Sequence, residues 1–556
     1  MYFRSLVSAL LLTLLLIITV SNVGASLPQS SQSTSAESSG KTKSSSTAAK
    51  PKSSGKKNAA SKKSARTTKK RKRKPPSLRV RKVHRAFVAS ANLRPMAQQL
   101  LQDRTPAAYA GVESYARHHP NEDAGALAWL VIGYAHIADH DYAKAIDPLN
   151  RAKAAADELA EYVSYYLGMA YLQSGRSAEA ANTLSNFAEK YPDSLMVRDV
   201  HVVYATALMA EGRSQDAVTL LEKDRRPARA EVELAIGKAY EATGDKSQAV
   251  AALRNVYYNM PTSPEADQAG AELKKLGETA ATPSEHKTRA DLLAKAKRFS
   301  DAADEYRDLL NQVSPNERTD VQMALATALE RSGHARDAKQ IVNSMGETTG
   351  ETNAQRLWLV GEIARSSDDD NEFLRALGEL RASAPESPWL EQSLLSEGNM
   401  YLLHRDYDKA IDAYHELQQR FPTGSRAAYA HWKAAWLTLR KGDNGEAACQ
   451  FEDQIILYPA GNEVPAALYW RARLAEEEND YAKARAFYQK LSDRFRNYYY
   501  AELARDRLKS LKPANDPEHY DLLDGIAPLP ATKIEDDEIP ADNLRVQKAQ
   551  LLANGA

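Results

Sequence analysis

The 556-residue sequence contains a single cysteine, Cys449. One thiol excludes intramolecular disulfides and any cysteine-rich metal site. Cys449 lies in a stretch with a helical pattern, where we expect it to be a small buried apolar side chain. The sequence also lacks a histidine pair flanking a glutamate, a glycine-rich phosphate loop and a Gly-x-Ser-x-Gly turn. No catalytic residue, metal or cofactor is therefore predicted from the residues themselves.

The apolar run near the start of the sequence is too short to cross a bilayer. Residues 6–20 form an apolar run of 15 residues, short of the about 20 that a helix needs to cross a bilayer. Arg4 precedes this run, and Val23, Gly24 and Ala25 follow it, which is the arrangement of a secretory signal. We expect residues 1–25 to be a signal peptide and the protein to be exported to the periplasm. No cysteine follows the run, which argues against a lipoprotein anchor; an uncleaved anchor is the alternative.

Acidic residues are scarce in the first 85 positions, which hold 20 Lys and Arg residues and one acid, Glu37. Residues 86–556 are the reverse, with 54 Lys and Arg against 72 Asp and Glu. Residues 26–86 are rich in Ser and Lys and bury too little apolar area to offset chain entropy, which predicts a disordered basic tether. Its densest positive charge comprises Lys69, Lys70, Arg71, Lys72, Arg73 and Lys74.

The basic tether predicts contact with an anionic envelope polymer or an anionic lipid surface, where each cation contributes about 1 kcal/mol. A solvated spacer fits the same composition equally well. No aromatic residues are interleaved with these cations to stack on bases, which argues against nucleic acid as a partner.

Three segments carry glycine, tyrosine, alanine and proline at identical spacing. The positions are Gly168, Tyr171, Ala180 and Pro192; Gly237, Tyr240, Ala249 and Pro261; and Gly398, Tyr401, Ala410 and Pro422. Two packed helices need small residues where they touch, an aromatic residue between them and a proline after the second helix. The spacing therefore predicts a tetratricopeptide-type repeat. The fold class is all-α, a tetratricopeptide-like α-solenoid that follows the disordered arm.

The last third of the chain repeats every 37 residues. The recurring positions are Asp406, Asp443 and Asp480; Ala410, Ala447 and Ala484; and Tyr414, Phe451 and Tyr488. The aromatic residue four positions after each alanine lies on the same helix face, which predicts core packing and not a ligand site. Each buried aromatic contributes about 2–3 kcal/mol, and one helix pair cannot bury it alone, so the repeats must stack.

The helical pattern begins near Phe87. It divides into N-terminal repeats at residues 87–280 and C-terminal repeats at 281–510, with a break in the rhythm at residues 279–285. Prolines and a cluster of acids then mark a strut, and a new helix begins near Ala541. A lone helix of about 13 residues is marginally stable without a partner. Residues 511–556 are therefore expected to be a proline-rich strut and an interrupted helix.

The C-terminal repeats resemble the helical region of soluble lytic murein transglycosylases. The resemblance rests on residues 420–422 (RFP), 458–459 (YP), 469–473 (YWRAR) and 480–484 (DYAKA), and above all on 497–508 (NYYYAELARDRL). It implies a horseshoe or ring of helices beside a lysozyme-like domain that cleaves the peptidoglycan glycan with one catalytic glutamate. The family's Glu-Ser pair and Gly-Leu-Met-Gln stretch do not occur in this sequence, so no catalytic residue is carried over and enzymatic activity is left open.

Two functions follow from the sequence. The first is an exported helical scaffold associated with peptidoglycan turnover, the non-catalytic part of a lytic transglycosylase-like protein. The alternative is a periplasmic repeat adaptor that binds envelope proteins during outer-membrane assembly or division. Both predict a groove of helix faces that holds a protein partner or peptidoglycan. An independently active hydrolase is the weakest reading.

Overall fold

The computed structural model describes residues 77–512, 520–527 and 543–555. These residues form 27 α-helices and two short 3-10 helices, at Ser90–Asn92 and Asp521–Gly525, and they contain no strand. The predicted all-α repeat fold is therefore confirmed. The predicted signal peptide at 1–25 and the basic run at 69–74 lie outside the described residues.

The N-terminal half comprises thirteen helices up to the predicted break at 279–285. They are α1 (Leu78–Ala89), α2 (Leu93–Asp103), α3 (Pro106–His118), α4 (Asp123–Ala138), α5 (Tyr142–Ala155), α6 (Ala160–Gln173), α7 (Ser177–Leu184), α8 (Phe187–Lys190), α9 (Val197–Ala210), α10 (Ser214–Glu222), α11 (Ala230–Thr243), α12 (Lys246–Asn259) and α13 (Ala266–Lys275).

The C-terminal half comprises the remaining helices. They are α14 (Pro283–Lys295), α15 (Phe299–Leu310), α16 (Pro315–Arg331), α17 (Ala335–Asn343), α18 (Gly350–Ser366), α19 (Asp370–Ser383), α20 (Pro388–Leu403), α21 (Tyr407–Arg420), α22 (Ala427–Arg440), α23 (Asn444–Leu457), α24 (Val464–Glu477), α25 (Tyr481–Arg494), α26 (Tyr499–Ser510) and α27 (Leu544–Leu552).

The recurring aspartates begin the second helix of each C-terminal repeat. Asp406, Asp443 and Asp480 accept hydrogen bonds from the backbone NH three residues further on, at 3.4, 3.2 and 3.0 Å. Such a carboxylate satisfies an NH group that the first turn of a helix leaves without a partner. The 37-residue period of aspartate is therefore a period of helix starts.

Glycines let the paired helices approach closely. A methyl group added at Gly168 would lie 2.6 Å from Cγ of Leu184, and one added at Gly398 would lie 2.5 Å from Cε1 of Tyr414. In both cases the side chain that fills the space lies 16 residues after the glycine. Most helices pack against the next one in the chain, and alternate helices such as α9 and α11 also contact.

The other repeat positions fall into two groups. Eight of them are completely buried: Ala180, Ala249, Ala410, Ala447, Ala484, Tyr414, Phe451 and Tyr488. The tyrosines at 171, 240 and 401 are only half-buried. The hydroxyl of Tyr240 donates to Glu222 at 2.6 Å, and that of Tyr171 lies 3.2 Å from Nδ2 of Asn150. The hydroxyls of Tyr171 and Tyr240 thus have polar partners at the margin of the helix contact, as is usual for tyrosine.

Three details differ from the sequence expectations. The first helix begins at Leu78, inside the stretch 26–86 assigned to the tether, because Val80, Val83 and Ala86 form a buried stripe. The last helix begins at Leu544, three residues after the expected start. Cys449 is exposed, not buried. The buried face of α23 includes its neighbours Ala447, Ala448 and Phe451.

Candidate protein-binding surfaces

The last described helix, α27, packs onto the first helices of the chain. Leu551 is completely buried in one cluster with Leu127 and Val131 of α4. Gly555 approaches the same helix so closely that an added methyl group would lie 2.9 Å from Leu127 and 3.0 Å from Val131. Leu552 and Trp129 both pack against a neighbouring apolar cluster that includes Leu130 and Val163. We call the part of α1, α4 and α6 that contacts residues 544–555 the docking surface.

Buried charges set the orientation of α27 on the docking surface. The Lys548 ammonium lies 2.7 Å from Glu161 and 3.6 Å from Glu158. Glu158 also accepts two hydrogen bonds from the Arg79 guanidinium, at 2.7 and 2.9 Å. The side chains of Lys548, Glu158 and Glu161 are 13%, 4% and 9% exposed. Removing one member of such a group leaves an uncompensated buried charge, so the pairs select a partner with a cation at this position.

A third carboxylate holds the loop that carries Glu158 and leads into α6, where Glu161 lies. Asp123 accepts hydrogen bonds from the backbone NH groups of Asp157 and Glu158, at 2.9 and 3.4 Å. Burial raises the pKa of Asp123 above its ordinary value, and the backbone donors oppose that rise. The loop between α5 and α6 is thus held by contacts that do not involve α27.

Three further hydrogen bonds fix the ends of the docked segment. Asn554 donates to the carbonyl oxygen of Phe87 and to Oγ of Ser90, both at 2.9 Å. Arg545 donates to the carbonyl oxygen of Asp193 at 3.0 Å. The docking surface therefore holds a short amphipathic helix through apolar contacts, ion pairs and end contacts together.

A second surface lies on α22, α24 and α26, where aromatic side chains from successive repeats meet. Its members are Trp432, Trp436, Tyr469, Trp470 and Tyr500, and we call them the aromatic surface. Ring centres are 6.2 Å apart for Trp432 and Trp436, 4.8 Å for Trp436 and Trp470, and 5.4 Å for Tyr469 and Tyr500. All except Tyr469 are half-buried. The indole nitrogens of Trp432 and Trp470 have no hydrogen-bond partner in the described part of the chain.

A polar cluster joins the two halves of the solenoid at the predicted break. Arg254 of α12 donates two hydrogen bonds to Glu285 of α14, at 2.7 and 2.5 Å. The Arg254 guanidinium lowers the pKa of Glu285 to about 2. Glu305 accepts from Arg289 at 2.7 Å and lies 2.7 Å from Nδ1 of His286. These contacts hold α12, α14 and α15 together.

The predicted site residues do not meet in one place. The repeat-packing positions recur along the core of the solenoid, and the basic run at 69–74 lies outside the described residues. Within the ranges that the structure describes, no group of three or more His, Cys, Asp or Glu side chains could hold a metal ion, and no helix is long and apolar enough to cross a membrane. The candidate sites are surfaces for a partner.

The fold and these surfaces define a tetratricopeptide-repeat solenoid, a class of protein that generally binds protein partners. Family models described as tetratricopeptide repeat match residues 162–194, 231–263 and 466–498 in one case, 395–462 in a second and 199–223 in a third. A comparison with curated proteins gives no match.

A comparison with solved structures finds several that are similar to this chain. The P58(IPK) tetratricopeptide domain is 16% identical and covers 63% of this chain and 98% of its own, with a TM-score of 0.20. Yeast Tom70 is 15% identical, with coverages of 78% and 81% and a TM-score of 0.26. A tetratricopeptide repeat protein from Parabacteroides merdae is 13% identical, with coverages of 48% and 97% and a TM-score of 0.23.

Proposed function

We propose that this chain is an exported helical-repeat scaffold that acts in peptidoglycan turnover, as the non-catalytic part of a lytic transglycosylase-like protein. The observation that carries the proposal is the aromatic surface. Tyr469 and Trp470 belong to one stretch that resembles those enzymes, residues 469–473, and Tyr500 belongs to another, residues 497–508. Their ring centres lie within 5.5 Å of one another in the pairs Tyr469–Trp470 and Tyr469–Tyr500.

The aromatic surface suits a glycan chemically. The face of an aromatic ring carries negative charge density and attracts polarised C–H and N–H groups, which a sugar ring presents. Half-buried rings from three successive repeats extend such a surface along the stacking direction of the solenoid. The basic run at 69–74 adds attraction to an anionic envelope polymer or lipid, and the proposed export would bring both to the cell wall.

Binding to purified peptidoglycan sacculi tests the proposal. The chain from Ser26 onward should sediment with sacculi, and Trp436→Ala should weaken this binding about fivefold, since one aromatic contact contributes about 1 kcal/mol. The matched control is Trp389→Ala, which removes an equally half-buried tryptophan from α20, where it pairs with Trp358 at 4.6 Å. Equal weakening by both variants, or no sedimentation of the unmodified chain, would contradict the proposal.

The docking surface favours a second candidate, an envelope adaptor that binds a helix of another protein. The surface already holds the amphipathic helix α27 through Leu551 and Lys548. In that case a protein partner would compete with α27, and a synthetic peptide of residues 541–556 would displace the partner. Sacculus binding without any such competition would reject the adaptor function.

A further inference from the structure

A lysine beside the aromatic surface has no carboxylate to neutralise it. The Lys433 ammonium lies 5.3 Å from the ring centre of Tyr429 and 5.9 Å from that of Trp432. Lys433 is half-buried, and it forms no ion pair with another described residue. The two ring faces attract the ammonium, but they leave its positive charge uncompensated. This charge can pair with an anion that reaches the aromatic surface.

The cations of the neighbouring helices are neutralised. Every Lys and Arg residue of α24 and α26 forms an ion pair with a carboxylate. By contrast, neither Lys433 nor Arg440 of α22 pairs with an acid in the described ranges. Arg440 lies 5.5 Å from the ring centre of Tyr407, which belongs to α21 and not to the aromatic surface. Lys433 is therefore the cation that a ligand stacked on Trp432 would meet.

The uncompensated charge distinguishes acidic from neutral glycans. A neutral glycan can stack on Trp432 and Trp436, but it brings no anion to Lys433. A glycan that carries carboxylates on its sugars, or on peptides attached to them, can stack on the rings and also pair with the ammonium through a charge-assisted hydrogen bond. Peptidoglycan is an acidic glycan of this kind, and chitin is a neutral glycan with similar acetamido sugars.

We propose that Lys433 is a specificity-determining residue of the aromatic surface, where its ammonium pairs with a carboxylate of an acidic glycan that stacks on Trp432 and Trp436. This inference rests on the proposed function, because it requires that the aromatic surface binds a glycan. It adds the charge of the ligand and the residue that selects that charge.

Parallel binding to peptidoglycan sacculi and to chitin tests the inference. The chain from Ser26 onward and its Lys433→Gln variant are sedimented with each polymer at low salt. We expect Lys433→Gln to bind sacculi about threefold more weakly, which is the size of a partly exposed ion pair, and to bind chitin no more weakly than the unmodified chain. Lys433→Arg keeps the charge and should retain most of the sacculus binding. High salt should remove the difference between Lys433→Gln and the unmodified chain.

The matched control is Arg440→Gln, which removes the other unpaired cation from the described part of α22. It should bind sacculi like the unmodified chain. All variants keep the same N-terminal residues, so a difference between them reports only the substituted position, and circular dichroism confirms that each is folded. The inference is overturned if Lys433→Gln binds sacculi as tightly as the unmodified chain or if Arg440→Gln weakens binding equally. An equal loss of chitin binding in Lys433→Gln would also overturn it, because that result would show a structural role.

The inference and the proposed function fail in different ways. If Trp436→Ala weakens binding to sacculi and Lys433→Gln does not, the aromatic surface binds a glycan without selecting its charge, and only the inference is rejected. If the unmodified chain sediments with neither polymer, the proposed function is rejected and the inference with it.

Discussion

Replacing Gly398 by alanine tests the repeat packing directly. The added methyl group would lie 2.5, 2.7 and 2.9 Å from Cε1, Cδ1 and Cζ of Tyr414. The ring cannot move aside easily, because Tyr414 is completely buried and its hydroxyl donates to Asn399 at 2.8 Å. Overpacking of this kind costs about 1–3 kcal/mol. Alanine also has a higher helix propensity than glycine by about 1 kcal/mol, which partly offsets the cost.

A second glycine supplies the control. Gly378 lies inside α19, and a methyl group added there would meet nothing within 4 Å. Gly378→Ala should therefore show the propensity gain alone, about 1 kcal/mol of added stability. The difference in unfolding free energy between the two variants isolates the steric cost, which we expect to be about 1–3 kcal/mol.

Urea unfolding together with hydrogen exchange measures this difference. Repeat proteins unfold locally as well as globally, so exchange in α20 and α21 reports the affected helix pair. Shortening the partner in the variant Tyr414→Leu should reduce the cost of Gly398→Ala, because the ring atoms that clash are gone. The packing argument is refuted if Gly398→Ala is as stable as Gly378→Ala, or if the cost is the same beside leucine.

Two further predictions concern the polar contacts. The pKa of Glu285 in the folded chain is about 2, below its ordinary value of 4.5, so its contribution to the free energy of unfolding is present above pH 4.5 and is lost as the pH falls toward 2. Acid unfolding of Arg254→Gln should therefore show a smaller loss of stability over that range than the unmodified chain. Parallel unfolding curves for the two proteins would reject this prediction. Asp443→Ala should lower the free energy of unfolding by about 1 kcal/mol and speed hydrogen exchange in the first turn of α23. Unchanged exchange in that turn would show that the Asp443 side chain does not stabilise the start of the helix.

The repeated part of the fold was predictable because it depends on contacts between helices that are close together in the sequence. Alanine, aromatic and aspartate positions recur at a fixed spacing, and each reports a contact between helices next to each other in the chain. The tyrosines at 171, 240 and 401 share that spacing but are only half-buried. The hydroxyls of Tyr171 and Tyr240 have polar partners that a count of spacing does not reveal. Cys449 shows the same limit, because one step along a helix turns a core position into an exposed one.

The docking of α27 was not predictable in the same way. Nothing near Lys548 in the sequence indicates that the acid it pairs with, Glu161, lies 387 residues earlier. The acids that pair with Lys548 are Glu158, in a loop, and Glu161, in the first turn of α6. The glycine at 555 matters only because α4 is adjacent. The start of α1 carried a usable signal, since Val80, Val83 and Ala86 recur every three residues, but the surrounding cations made the stretch resemble the tether.

The most direct test of this account is to separate the docking surface from its helix. A synthetic peptide of residues 541–556 is titrated by calorimetry onto a chain that ends at residue 540. The account predicts saturable one-to-one binding, protection of α4 and α6 from hydrogen exchange, and loss of both effects with a peptide carrying Lys548→Glu, because that change places a third acid beside Glu158 and Glu161. No saturable binding, or equal binding by the Lys548→Glu peptide, would show that the docking surface does not recognise this helix.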